Sequence, residues 1–186
     1  MDFLNILSAF GLSASAGLNA YIPLLVVSLL ARFTDLITLN KPWDALASWW
    51  TIGVLIVLVL VEFFADKVPA VNHINDIIQT LVRPTAGAIV FAASVSTITE
   101  IKPVLAIIAG ILVAGGVHTV KSVAVRPAVT AATAGAGNVP VSFLEDVVST
   151  AVSVLAVAIP AIVVVVIILG VAFIIDRQMV KSRKRV

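Results

Sequence analysis

The chain has 186 residues, 61% of them hydrophobic and only 12% charged, with a mean hydropathy of +1.17. A soluble domain carries about 45–50% apolar and about 25% charged residues, so water is excluded as the main solvent. The absence of cysteine excludes disulfides, thiolate metal ligands and a cysteine nucleophile. The pI near 9.2 does not point to nucleic acid, because Arg177, Lys181, Arg183, Lys184 and Arg185 crowd into a terminal tail of the membrane-flanking kind.

The first apolar stretch runs from about Phe3 to Ala31, with no charge between Asp2 and Arg32. That is enough to cross a bilayer, which takes about 20 mostly apolar residues. Near its middle, Pro23 cannot donate to the carbonyl of Asn19, so a kink or break is expected at Asn19-Ala20-Tyr21-Ile22-Pro23. Ser13-Ala14-Ser15-Ala16 resembles a small-residue cleavage site, but the start has no basic segment, and a removed signal peptide is not expected.

A loop from Phe33 to Ser48 leads to a second span from about Trp49 to Ala65, and Trp43, Trp49 and Trp50 suit the headgroup level. From Asp66 to Val82 the residues Val71, Ile74, Ile78 and Leu81 recur at helical spacing, while Asn72, His73, Asn75, Asp76 and Gln79 fill the other face. This predicts an amphipathic helix lying in the interface. A short third span follows Arg83-Pro84 and ends near Thr99, and a fourth continues from Pro103 to about Val125.

Residues 127–144 hold no charge but much alanine, threonine and glycine, including Gly135-Ala136-Gly137-Asn138-Val139-Pro140. Such a segment suits a re-entrant stretch packed inside protein, since non-helical backbone at membrane depth needs partners there. A fifth span runs from about Val147 to Ile175, bent if anywhere at Pro160. The expected fold is therefore all-α: a polytopic membrane protein of about five transmembrane helices with one interfacial amphipathic helix and one re-entrant segment. Residues 1–176 form a single transmembrane domain and 177–186 a basic cytoplasmic tail. With five spans, the Lys and Arg distribution places the N-terminus outside and the C-terminus in the cytoplasm.

Val82-Arg83-Pro84 recurs as Val125-Arg126-Pro127, and Gly11 to Asn19 echoes Gly110 to His118, which raises an internal duplication. Gly11/Ser15, Ser13/Gly17 and Gly110/Ala114 are small-residue pairs that predict close helix packing rather than a site.

The ionisable groups converge on the two connections 66–83 and 126–146. Glu62 and Asp66 are four apart on one helix face, where like charges repel unless a proton or cation joins them. They are read as proton or cation acceptors, Arg83, Lys121 and Arg126 as counter-charges or anion ligands, and Asn19 and Tyr21 as neutral polar ligands. Lys67, Asp76, His118, Asn138, Glu145 and Asp146 complete the expected binding set. Blander readings stand beside these: Glu145 and Asp146 as helix-start carboxylates, Arg83 and Arg126 as arginines reaching to headgroups, His73 as solvated, Asn19 with Tyr21 as a packing contact. No catalytic group, metal site or cofactor is expected, because two separated histidines and scattered acids match no ligand spacing and no nucleotide fingerprint is present.

The segments Gly17-Leu18-Asn19-Ala20-Tyr21, Ala65-Asp66-Lys67-Val68-Pro69-Ala70-Val71-Asn72-His73-Ile74-Asn75-Asp76, Val82-Arg83-Pro84-Thr85-Ala86-Gly87 and Gly116-Val117-His118-Thr119-Val120-Lys121 resemble a bacterial membrane-protein family, domain of unknown function 4126. The resemblance reaches to about Pro160. It implies a multi-pass protein of the bacterial inner membrane and brings no substrate or activity with it. The residues themselves favour a small transporter or channel-like protein with a charge-lined cavity at the outer face. A non-transporting scaffold or accessory subunit with a structural charge cluster is the alternative, and a lipid-processing enzyme using His118 the least favoured. Expected partners are membrane lipid, a small molecule or ion, and a second copy of the chain, but no nucleic acid.

Overall fold

The computed structural model describes residues 2–67, 69–96, 98 and 101–159. Pro160 and the basic tail lie outside the described residues. The regular elements among the described residues are all helices. α1 (Asp2–Leu18) and α2 (Tyr21–Phe33) precede a 3-10 turn (Trp43–Ala47), α3 (Trp49–Ala65) and α4 (Pro69–Ser94). α5 (Pro103–Val120), a π turn (Lys121–Val125), α6 (Arg126–Thr133) and α7 (Asn138–Ile159) follow.

Among the described residues, three stretches are long and apolar enough to cross a membrane: Ile77–Ser94 within α4, the continuous rod Pro103–Thr133, and α7. α1, α2 and α3 are shorter apolar helices. The bundle thus divides into three long helices and three short ones rather than into five similar spans.

Contacts along the chain give the direction of each helix. Phe10 of α1 meets Phe91 near the end of α4, and Ala9 clusters with Val95 and Ala106. At the other end of α1, Asn19 reaches Asp146 of α7 and Lys121 reaches the Leu18 carbonyl. α2 starts beside that polar end and returns, because Arg32 donates to the Ala47 carbonyl and Phe33 stacks on Trp49. The 3-10 turn joins the same apolar end, where Trp43 packs on the Ala9 and Phe91 cluster. The chain therefore reverses at Asn19-Ala20. The break falls where the sequence places it, but the two halves are a splayed hairpin and not one kinked span. Its cause is local: Asn19 Oδ1 accepts from the Tyr21 and Ile22 amides and so caps α2.

The expected interfacial helix is the first part of α4, which runs unbroken through Pro84 to Ser94. Its amphipathicity is inverted relative to a helix lying on water. Gln79 and Arg83 are buried, whereas Ile77, Ile78 and Leu81 are exposed, Leu81 by 78%. The same inversion holds on α7, where Ser142, Ser149 and Ser153 are buried while Phe143, Leu144 and Val147 are exposed. An apolar exterior around a polar interior suits lipid as the surrounding solvent and fits a membrane location.

The stretch read as re-entrant is corrected too. Residues 126–133 continue the α5 rod, Ala134 and Gly135 take positive φ of 50° and 89°, and α7 already begins at Asn138. Most of this tip is exposed and not packed inside protein. Alanine is a strong helix former, and Thr130 and Thr133 bond back to the carbonyls four residues earlier, so the segment is helical up to its glycines. Glu145 and Asp146 accordingly are the eighth and ninth residues of α7, not its start.

Close packing of α1, α4, α5 and α7 seals the bundle, and small residues make it so. Ser13 donates to the Gly87 carbonyl, and Ser15 bonds Ser149 and Ser153. A Cβ on Gly110 would lie 2.6 Å from the Ala88 Cα, and one on Gly17 would lie 2.6 Å from the Ala114 carbonyl oxygen. The small-residue pairs on α1 thus serve two seams, Gly11 and Ser15 facing α7 while Ser13 and Gly17 face α4 and α5. Backbones approach this closely only where side chains are small.

Two outcomes follow. Gly110→Val should destabilise the bundle by about 1–3 kcal/mol or more through overpacking, whereas Gly53→Val, open on all sides, should leave the melting temperature in detergent unchanged. A thiol placed at Phe3 should react with an impermeant reagent from the same face as thiols at Asn40 and Lys102, and from the opposite face to one at Gly135. Labelling of the Phe3 and Lys102 positions from opposite faces would restore an odd number of crossings.

Candidate functional site

The C-terminal ends of α1 and α3 and the start of α2 meet the long helices at one level, and there the charged residues join. Asp66 is the hub. Arg83 Nη2 lies 2.9 Å from Glu62 Oε1 and 3.7 Å from Asp66 Oδ2, and Arg126 Nη2 lies 3.6 Å from the same Asp66 oxygen. Arg126 also pairs with Glu145 at 2.7 Å, and Lys121 with Glu145 at 2.9 Å. Asn75 Nδ2 and Ser142 Oγ donate to Asp66, at 2.6 and 3.4 Å. A second branch joins Lys67, Asp146 and Asn19, with Lys67 Nζ 3.1 Å from Asp146 Oδ2 and Asn19 Nδ2 donating to Asp146 Oδ1 at 2.9 Å.

Among the described residues, four carboxylates thus face four cationic side chains: Glu62, Asp66, Glu145 and Asp146 against Lys67, Arg83, Lys121 and Arg126. Arg83 and Glu62 are fully buried, and the other members of the main branch nearly so. A charge removed from water persists only when paired, and each member of this set has an opposite charge within 4 Å. Among the described residues the charged groups of the network are bonded to each other.

Helix ends and a widened turn bring the groups together. Lys121 Nζ donates to the Leu18 carbonyl and Lys67 Nζ to the Phe63 carbonyl, so cations cap the negative ends of α1 and α3. Lys67 also lies 3.4 Å over the Phe63 ring. Lys121 and Arg126 are five residues apart, which on a regular α-helix of 3.6 residues per turn separates them by roughly 140°. The π turn between them, closed by the Arg126 amide on the Lys121 carbonyl, swings both onto Glu145. Pro127, which lacks an N–H and crowds the preceding turn, explains why the helix widens there.

His118 Nδ1 lies 3.2 Å from Arg83 Nη1 and its Nε2 lies 3.2 Å from Thr80 Oγ1. Tyr21 is half-buried and hydrogen-bonds Gln79. Asn138 is set apart from the network, bonded to Thr130 at the α6–α7 tip. The side chains of Asp76 and His73 lie outside the described ones. Arg83 and Arg126, the arginines of the repeated Val-Arg-Pro, converge on one carboxylate oxygen and do not reach outward to headgroups.

Sequence reasoning missed Asn75, Gln79 and Ser142. Asn75, Gln79 and Arg83 recur every four residues, and that shared face marks them as one set; the error was to turn the face toward water. Ser142 belongs to a comparable stripe with Glu145, Asp146, Ser149 and Ser153.

Glu62→Gln should destabilise the protein by about 3–5 kcal/mol, because it leaves part of the buried Arg83 charge uncompensated. Neutralising Arg83 as well, in Glu62→Gln/Arg83→Gln, should recover at least half of that loss in the same detergent unfolding titration. Additive losses in the double variant would show that the two side chains do not act as a pair.

No curated protein and no solved structure matches the chain. A family model described as Domain of unknown function (DUF4126) matches residues 6–177, a span that takes in every member of the charge network. On that match the chain belongs to the DUF4126 family.

Proposed function

We propose that the protein is a small multi-pass transporter of the bacterial inner membrane, and that the network around Arg83 seats its ion or small polar substrate in a closed conformation. The observation that carries this reading is a set of orphaned atoms. Glu62 Oε2, Gln79 Oε1 and Arg83 Nε are buried without a hydrogen-bond partner among the described residues. A buried polar atom left unpaired costs about 1–3 kcal/mol, more when charged, so two spare acceptors and one spare donor gathered about one ion pair favour a ligand between them.

The surrounding architecture supports the same reading. Short helices that end at a polar centre inside an apolar bundle are how transporters expose backbone ends to a substrate. Tyr21, bonded to Gln79, and Asn19, at the break, stand beside that centre as neutral ligands. Tight packing at Gly87 and Gly110 closes the path toward the other end. Arg32, Lys41 and Lys102 sit in the connections of that other end, so the positive-inside rule puts it in the cytoplasm and the charge network toward the outer face. α1 begins at the same end, which moves the N-terminal side to the cytoplasm.

The second reading, a scaffold whose charges only hold helices together, draws on the pairing of four acids with four bases among the described residues. Proteoliposomes holding a pH-sensitive or sodium-sensitive dye separate the two. Under an imposed gradient the wild type should carry a proton or sodium flux above that of empty vesicles, and Glu62→Gln/Arg83→Gln should reconstitute equally well and carry none. Equal traces from the wild type, the double variant and empty vesicles would leave the scaffold standing.

A further inference from the structure

The carboxylates of the charge network are not equally satisfied. Asp66, Glu145 and Asp146 each accept at both oxygens: Asp66 from Asn75 and Ser142, Glu145 twice from Arg126, and Asp146 from Asn19 and Lys67. Glu62 accepts at Oε1 alone, from Arg83 Nη2 at 2.9 Å. Its Oε2 has no hydrogen-bond partner among the described residues, and neither has Arg83 Nε. A guanidinium and a carboxylate can close a two-bond fork, and here one prong stays open. A pair that only held α3 to α4 would gain from closing it.

Whatever completes Oε2 must donate to it at a place almost without exposed surface, since Glu62 and Arg83 are fully buried. A second unpaired acceptor, Gln79 Oε1, stands one turn before Arg83 on the same buried face of α4. A hard metal cation takes about six oxygen ligands or more, and these are two, beside a guanidinium. An anion would stand against the carboxylate. A proton needs no cavity, and it turns Oε2 itself into a donor.

The groups that face Glu62 leave the proton to it. They are its neighbour Asp66, Arg83 of α4, Tyr21 of α2 and Lys121 of the α5 rod. Both Asp66 oxygens are engaged, and Arg83 and Lys121 are paired cations. On α7, Glu145 and Asp146 are engaged as well. His118 Nδ1 lies 3.2 Å from Arg83 Nη1, and because arginine carries no acceptor, that nitrogen must accept and has no place for a proton.

We propose that Glu62 Oε2 is a reversible proton-binding site, with Gln79 Oε1 accepting the hydrogen bond of the protonated carboxyl. This names the proton as the ion of the transport reading above, and it rests on that reading only for the passage of the proton across the membrane. A proton from water forms an O–H bond at Oε2 and no bond breaks. The carboxylate charge is cancelled, and Arg83 keeps Asp66 as its counter-charge at 3.7 Å. Uptake thereby loosens α3 from α4, and release of the proton to water restores the pair.

Difference infrared spectra of the full chain in detergent, recorded in H2O and D2O as the pH is lowered and restored, test it. Beyond the bands of exposed acids that all variants share, the wild type should gain one reversible carboxylic-acid C=O band that shifts in D2O. Glu62→Gln/Arg83→Gln should lose this band. Gln79→Leu should keep it at higher frequency, because the protonated carboxyl has lost its acceptor; if the double variant does not fold, this shift decides alone. No such band in the wild type, a band that survives in the double variant, or a frequency unmoved by Gln79→Leu would each overturn the proposal. Proteoliposomes score transport separately: sodium flux without proton flux would keep transport and overturn the proton as its ion, whereas the Glu62 band without any flux would keep the proton site and remove the transport reading.

Discussion

A charge inside an apolar bundle must find its opposite, and this constraint governs the arrangement of the protein. Transferring one carboxylate or guanidinium out of water costs several kcal/mol even after relaxation, and only direct pairing with full hydrogen bonding offsets it. Arg83, with no exposed surface, finds its opposite charges in Glu62 on α3 and Asp66 just past its end, though its Nε has no partner among the described residues. Because Asp66 is shared with Arg126, and Arg126 shares Glu145 with Lys121, one chain of contacts ties α3, α4, the α5 rod and α7 together. No helix in that set can slide by a turn without stranding a buried charge.

Irregular backbone is what makes such pairing geometrically accessible. α1 stops at Leu18 and hands a free carbonyl to Lys121; Asn19 then caps α2 while its amide nitrogen reaches Asp146. The π turn plays the same part on the α5 rod. Both of these departures from regular helix lie at the level of the charges, and each supplies a partner or an orientation that a straight helix would withhold. Away from that level, toward the tryptophan end, the packing is of a different kind: glycine, alanine and serine bring backbones together and leave little room for anything else.

The exterior completes the pattern. Apolar side chains cover the outside of α3, α4 and α7, and Trp49 and Trp50 stand exposed where α3 begins.

Composition and periodicity by themselves determined that the protein is all-helical and suited to a membrane, that the chain breaks near Asn19, that small residues mark close helix contacts, and that Glu62 and Asp66 need a cation beside them. These are local or pairwise matters: a proline removes a donor four residues from its acceptor, and two carboxylates one turn apart repel whatever the fold. Tertiary structure decided the rest. Periodicity shows that one face of residues 75–83 is polar but not whether that face turns to water or inward, and the inward choice turned an expected interfacial helix into the start of a buried one. Likewise a break in a helix has no direction until other helices pack on both halves, so the reversal at Asn19-Ala20 was not legible, nor was the meeting of Arg83 and Arg126 on one Asp66 oxygen. The physical reason is that helix formation is settled by bonds four residues apart, whereas the pairing of buried charges is settled between residues 17 to 79 positions apart, which only the packed bundle brings within 4 Å.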